Sequence, residues 1–121
     1  MKIKTKDLIG IQLDWAVAKC EGVEYHAEDY LQNGTLYVFI GGLRKDQMLP
    51  MYSSAWEFGG PLIEREKMYL NFGVLGGPWE AVVPSRTFTL VSYGETALVA
   101  AMRAFVLSRL GPEVEIPKEL K

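Results

Sequence analysis

Six residues of the types from which a small-molecule site is built stand out by their setting: Tyr52, Ser53, Ser54, Trp56, Arg65 and Arg103. An indole face and a phenol can stack on a planar ring, and hydroxyls can hydrogen-bond to it. A guanidinium can fork onto a carboxylate or a phosphate. Four of the six fall between Tyr52 and Trp56, in a stretch that runs Y-S-S-A-W-E-F-G-G-P-L-I-E-R-E to Glu66. Ser53 or Ser54 can cap a short helix there, with Glu57 closing a capping box from Ser54. Gly59-Gly60 is then expected to stop that helix, and Pro61 to open a second short turn. The expectation is that Tyr52, Trp56, Arg65 and Arg103 line one concave surface, where this corner meets the last helix. The competing reading puts Trp56 and Phe58 into the core and pairs Arg103 with Glu64 or Glu66.

Nucleophilic and metal chemistry find little to work with. A nucleophile needs an adjacent base, and the chain has one cysteine, Cys20, and one histidine, His26. Cys20 falls on the apolar stripe of a helix, where a thiol is an inert small hydrophobe, expected to be buried and unreactive. Two potential soft ligands cannot make a zinc site. The pairs Gly41-Gly42, Gly59-Gly60 and Gly76-Gly77 lack the spacing of a phosphate-binding or dinucleotide loop. Glu64 and Glu66 could do acid–base work in principle, but a solvated or ion-paired role fits better. No catalytic residue, no metal and no cofactor are assigned.

Length and composition set the frame for these groups. The chain of 121 residues is one domain, 49% hydrophobic and 23% charged, with a net charge of −2. That balance offers no electrostatic footprint for nucleic acid. One cysteine excludes an internal disulfide and fits a reducing compartment. The opening M-K-I-K-T-K has no apolar h-region, so no signal peptide is expected, and no apolar run is long enough for a membrane span.

The elements that must position the candidate residues read as follows. Lys2-Ile3-Lys4 is a short edge strand. A helix capped by Thr5 or Asp7 runs from Leu8 to Glu21, with Leu8, Ile11, Trp15 and Ala18 at helical spacing and Gly22 at its end. Asp14 is placed on its polar edge, and its wide apolar face is expected on a sheet. Val23 to Gly34 is polar and loop-like, Thr35–Ile40 a central strand, and Leu43 to Met51 a loop. Lys67 to Phe72, Trp79 to Val83 and Arg86 to Ser92 read as a meander, reversed at Gly76-Gly77-Pro78. Thr96 caps a second long helix with Leu98, Met102, Phe105, Val106 and Leu110 on its buried stripe, and Gly111-Pro112 stops it. Residues 112–121 are read as a polar, partly mobile tail. The sum is an α+β domain: a mainly antiparallel sheet of about four to five strands with the two longer helices packed on one face.

Several segments in order carry a resemblance. They are L-D-W-A-V-A-K-C-E-G from Leu13, G-G-P-L-I-E-R-E from Gly59, W-E-A from Trp79, A-L-V-A-A-M-R from Ala97 and G-P-E-V-E-I-P from Gly111. With these, nearly the whole chain resembles the bacteriophage NinX-like proteins, small accessory proteins of phages and prophages. It departs at Ala97, where the family tends to carry a proline after the capping threonine. The resemblance transfers no catalytic residue. It implies a phage-encoded protein made in the cytoplasm of the bacterial host and dispensable for virion structure.

The expected function is therefore non-enzymatic binding of a small ligand. A nucleotide-derived immune signal, sequestered against host defence, would suit aromatic and guanidinium groups. The alternative is a protein-interaction module that inhibits or redirects a host protein, and a homo-oligomer is compatible with either. A hydrolase is the third and weakest reading. Membrane and nucleic acid are not expected as partners.

Overall fold

The computed structural model describes residues 1–22, 31–32, 35–40, 43–73, 77–84, 89–117 and 120. The chain runs from β1 (Lys2–Lys4) through a 3-10 turn at Thr5–Asp7 to α1 (Gly10–Cys20). There follow β2 (Leu31–Gln32), β3 (Thr35–Ile40), β4 (Leu43–Met48) and α2 (Trp56–Arg65). Then come β5 (Tyr69–Phe72), β6 (Trp79–Val83), β7 (Leu90–Gly94), α3 (Ala97–Leu110) and β8 (Glu113–Glu115). The loop bearing His26 and the segment 85–88, which includes Arg86, lie outside the described residues.

The core is organised around α3. From Ala97 to Val106 every residue except Arg103 is buried. A helix apolar on nearly all sides must be covered on all sides. Strands β6 and β7 cover one face, and α1 and α2 pack against others. The first helix, expected on the sheet, thus makes its main contact with α3. The start of α3 matches its sequence: Thr96 Oγ1 accepts the Val99 N–H at 3.1 Å. Gly111, at φ 85°, stops it.

The α+β class and the antiparallel pairing are as expected, but the single sheet of four to five strands is not. The described strands fall into three sheets, ordered β5-β6-β7, β2-β3-β4 and β1-β8. The third arises because the chain after α3 is not a polar tail. Glu113–Glu115 pairs antiparallel with Lys2–Lys4, and Ile116 and Leu120 are buried. Alternation explains the strand: Val114 lies between Glu113 and Glu115, so it turns inward while both face water. Thr5 closes the join. Its N–H donates to Pro112 O at 2.8 Å and its hydroxyl to Gly111 O at 2.6 Å, so it caps no helix.

Leu43–Met48, read from sequence as a loop, is a strand paired with β3, with a register shift between Val38 and Phe39. Its composition (L-R-K-D-Q-M) has little strand preference, and ladder hydrogen bonds to an apolar neighbour override that weak signal.

The Tyr52–Glu66 corner differs most from expectation. Helix α2 is continuous through Gly59, Gly60 and Pro61. Its N-cap is Ala55, without a side-chain hydrogen bond, so neither Ser53 nor Ser54 caps it. The glycine serves packing instead of termination. A Cβ on Gly59 would collide with the Tyr52 carbonyl oxygen and lie 2.6 Å from Leu98 Cδ2. Only a residue without a side chain lets α2 approach α3 and the preceding turn so closely. Gly94 has the same role at the other side of α3, where a Cβ would lie 2.7 Å from the Ala100 nitrogen. Pro61 deprives the Glu57 carbonyl of its helical partner, but at an exposed site where water can replace the donor.

Candidate functional site

The six candidate residues separate into three places. Tyr52, Ser53, Ser54 and Trp56 stay together at the start of α2. Arg65 lies at the far end of that helix, roughly 13 Å along the axis at 1.5 Å per residue. Arg103 lies on a different face of α3, roughly 140–160° around the helix from Leu98 and Phe105, which face α2 and its arginine. The expected convergence of indole, phenol and two guanidinium groups on one concave surface does not occur.

The first place is held by a buried carboxylate that the sequence reading placed on a polar edge. Asp14 is only 6% exposed, and its Oδ1 accepts the Ser53 N–H at 2.8 Å. This bond fixes the turn 52–54 on α1. Burial pushes the Asp14 carboxyl above its ordinary range, against the opposing effect of its hydrogen bonds with Ser53. The signal was present in the spacing: Ile11, Asp14 and Ala18 follow the i, i+3, i+7 rhythm of the buried stripe. Tyr52 is half-buried, its ring edge-on to Phe58 with centroids 6.4 Å apart. Its phenol is raised by burial first, then by the Glu21 and Asp14 carboxylates, against the Arg65 guanidinium. Around this anchored turn the apolar side chains face solvent: Trp56 is 56% exposed, Met51 46% and Phe58 36%. Trp56 does not plug the core. Ser54 is exposed beside them.

The second place is an ion-pair cluster over a buried ring. Arg65 forks onto Glu21 at 2.8 and 2.9 Å and gives its Nε–H to Glu66 at 2.9 Å. Glu66 also accepts from Arg109 at 2.7 Å, so Arg109, not Arg103, is the partner of that carboxylate. Burial alone would raise the Glu66 carboxyl, but the hydrogen bonds from Arg65 and Arg109 outweigh it and hold it below the ordinary range. The guanidinium carbons of Arg65 and Arg109 lie 5.7 and 5.2 Å from the centroid of the buried Phe105 ring. Every nitrogen of Arg65 is therefore committed, and the cluster reads as a seam between α1, α2 and α3. Nearby, Cys20 is half-buried, and burial pushes its thiol up to about 11. A thiol so protonated is a poor nucleophile.

The third place is Arg103. Its Nε–H donates to Leu8 O at 2.8 Å and its Nη1 to Tyr93 O at 2.9 Å. Burial lowers its affinity for the proton, against the carboxylates of Asp7 and Glu95. It staples the approach to α1 onto β7. Close by lies a cavity of about 380 Å³, walled by Lys4–Lys6, Val91–Tyr93, Leu107 and Pro112–Glu113. None of the six candidate residues lines it.

Comparison with known proteins adds a family and a fold. The family model described as "Bacteriophage P22, NinX" matches residues 4–109. A crystal structure of a phage protein from Bacillus cereus ATCC 14579 is similar, with a TM-score of 0.60 and 18% identity, over 88% of this chain and 87% of that one. At that identity the likeness speaks for the fold alone. No curated protein matches the chain. Among the described residues, no helix is long and apolar enough to cross a membrane.

Proposed function

This chain belongs to the bacteriophage P22 NinX family, and from that premise we propose that it is a non-enzymatic phage accessory protein acting in the host cytoplasm by binding. The contact surface is the apolar corner of Met51, Trp56 and Phe58, and the partner is a host protein that the phage inhibits or redirects. One observation carries this reading: an indole more than half exposed, flanked by two further exposed apolar side chains, on a turn held rigid by the buried Asp14–Ser53 bond. Exposed tryptophan on a fixed support is the composition of an interface hot spot. Arg65 is bonded to Glu21 and Glu66 and Arg103 to two backbone carbonyls, away from the Trp56 corner, which favours a protein surface over a ligand pocket there.

The small-ligand reading stands second. The open face of Trp56 beside the Tyr52–Phe58 pair suits stacking of a nucleobase, and sequestration of a nucleotide-derived immune signal would make the protein an anti-defence factor. Its phosphate contacts would have to come from groups other than Arg65 and Arg103. One experiment separates the two. The parent and its Trp56→Ala variant are immobilised, crosslinked with lysate of a bacterial host, and in parallel melted with nucleotides and cyclic nucleotides. A host protein held by the parent and lost with Trp56→Ala, at unchanged melting temperature, supports the first reading. A nucleotide that stabilises the parent alone, by ~2.7 kcal/mol at a hundredfold excess over its Kd, supports the second. Retention of host protein regardless of Trp56 refutes the role given to this corner.

A further inference from the structure

Among the described residues, strand β7 has one side that no other strand pairs with. Among those residues it pairs with β6 alone, in register Glu80↔Tyr93, Ala81↔Ser92 and Val82↔Val91. In an antiparallel ladder the N–H and C=O of one residue point the same way, and the direction alternates along the strand. The Tyr93 carbonyl accepts from Arg103, which is not part of β6, so Tyr93 belongs to the outward set. Val91, two residues earlier, belongs to it as well. The neighbouring ladder agrees: the Gly73 N–H donates to Pro78 O, which in the β5–β6 register turns Glu80 and Val82 toward β5 and so leaves their partners Tyr93 and Val91 facing outward. The outer edge of β7 thus offers the N–H and C=O of Val91 and the N–H of Tyr93. An uncovered edge of this kind is a template for another strand.

This edge faces a built space. The same Val91–Tyr93 segment walls the cavity of about 380 Å³, with Leu107 as an apolar neighbour and Lys4 and Lys6 on another wall. Glu113 also lines it, but Glu113 is the register partner of Lys4 across the β1–β8 ladder. Among the charged residues that line the cavity, two lysines thus face one carboxylate, with Asp7 and Glu95 lying outside the lining. Arg103 fixes one end of the site by capping the Tyr93 carbonyl, which sets where an incoming strand must stop.

We propose that the free edge of β7 at Val91 and Tyr93, with Lys4 and Lys6 lining the same cavity, takes an extended acidic segment of a partner protein as an added strand. Main-chain hydrogen bonds to the edge supply affinity, alternate side chains enter the cavity, and one carboxylate meets Lys6. This surface is separate from the Trp56 corner and does not depend on the role given to it.

The test is selection from a random-peptide display library against the intact chain. Peptides that alternate apolar and polar residues around a single acid are expected to enrich. Their binding falls at least tenfold in Val91→Pro, which removes an outward N–H that the β6 ladder does not use, and at least tenfold in Lys6→Glu. Binding is unchanged in Trp56→Ala. Amide exchange reads the mode directly: the peptide slows the Val91 and Tyr93 amides. If Val91→Pro melts early, Lys6→Glu and the exchange data decide alone. The proposal is overturned by failure of any peptide to enrich, by peptides that ignore Lys6→Glu and leave both amides unprotected, or by peptides that need Trp56 instead. It is also overturned if Val91→Pro dissociates a dimer of the free protein, because a second copy would then occupy the edge.

Discussion

Asp14 permits a test in which two substitutions at one position part company. Its Oδ1 is the acceptor for the Ser53 N–H at 2.8 Å, at a site 6% exposed. Asp14→Ala leaves that N–H without a partner, which costs ~1–3 kcal/mol. A loss of about 2 kcal/mol lowers Tm by roughly 6–10 °C in a domain of this size. Asp14→Asn keeps an amide oxygen in the same place and removes a charge that burial disfavours, so its melting temperature at neutral pH equals or exceeds the parent's. The pH dependence follows with a definite sign. The folded-state carboxyl is raised, so the native state holds its proton over a window where the unfolded chain, near ~3.9, has released it. The Asp14 contribution is then fully present below ~3.9 and is lost as pH rises through the folded value. Other carboxylates titrate identically in parent and variant and cancel in the difference. Melts followed by near-UV circular dichroism between pH 3.5 and 7.5 should show the advantage of Asp14→Asn over the parent growing with pH. An advantage that shrinks with pH, or an Asn variant as unstable as the Ala variant at pH 7, would refute the account of a buried, strained carboxylate.

Three further outcomes follow from the packing. Phe105→Ala removes a fully buried ring beneath two guanidinium groups and should cost ~3–5 kcal/mol in urea denaturation; a change under 1 kcal/mol would show the ring is not central. Gly59→Ala forces a methyl into the Tyr52 carbonyl and Leu98 and should destabilise by ~1–3 kcal/mol, whereas a glycine serving only as a helix-weakening residue would give a stabilising substitution. Cys20, with its thiol raised to about 11 by burial, should react with a disulfide reagent at pH 7.4 far more slowly in the native state than in denaturant; equal rates would contradict the burial.

What the sequence showed and what it hid divide along physical lines. The long helices, the Thr96 cap, the stops at Gly22 and Gly111, and strands 69–72 and 79–83 were legible, because each is set by local spacing or by a terminal glycine. The corner at Gly59-Gly60-Pro61 was misread because glycine has two uses, and only tertiary neighbours tell a break from a close approach. Leu43–Met48 and Glu113–Glu115 were missed as strands because their pairing partners, not their own composition, define them. The candidate site came apart for a related reason. Residue types alone could not show convergence, which was a matter of helix phase. Arg103 and Phe105 are two positions apart, which on one helix means nearly opposite directions.

The arginines decide which surfaces remain for binding. Arg65 is saturated by Glu21 and Glu66, Arg109 bonds to Glu66, and Arg103 is held by two backbone carbonyls. A ligand that recruited Arg65 would first have to break its bidentate bond to Glu21, losing much of the gain. The two surfaces proposed above are of another kind: the apolar side chains of Met51, Trp56 and Phe58, and the outward N–H and C=O of Val91 with the N–H of Tyr93. Both recognise shape and main-chain geometry more than charge, and both lie against α3 through Gly59 and Gly94, where a methyl group would push them out of place. A partner should bind with weaker dependence on salt at the Trp56 corner, where the proposed contacts are apolar and Glu57 is the one charge beside them among the described residues. At the β7 edge, where Lys6 meets an acid, affinity should fall as salt rises. Titrations at low and high ionic strength would therefore tell the two surfaces apart, and a strong salt dependence that survives Lys6→Glu would show that the Arg65–Glu66–Arg109 cluster or Arg103 takes part after all.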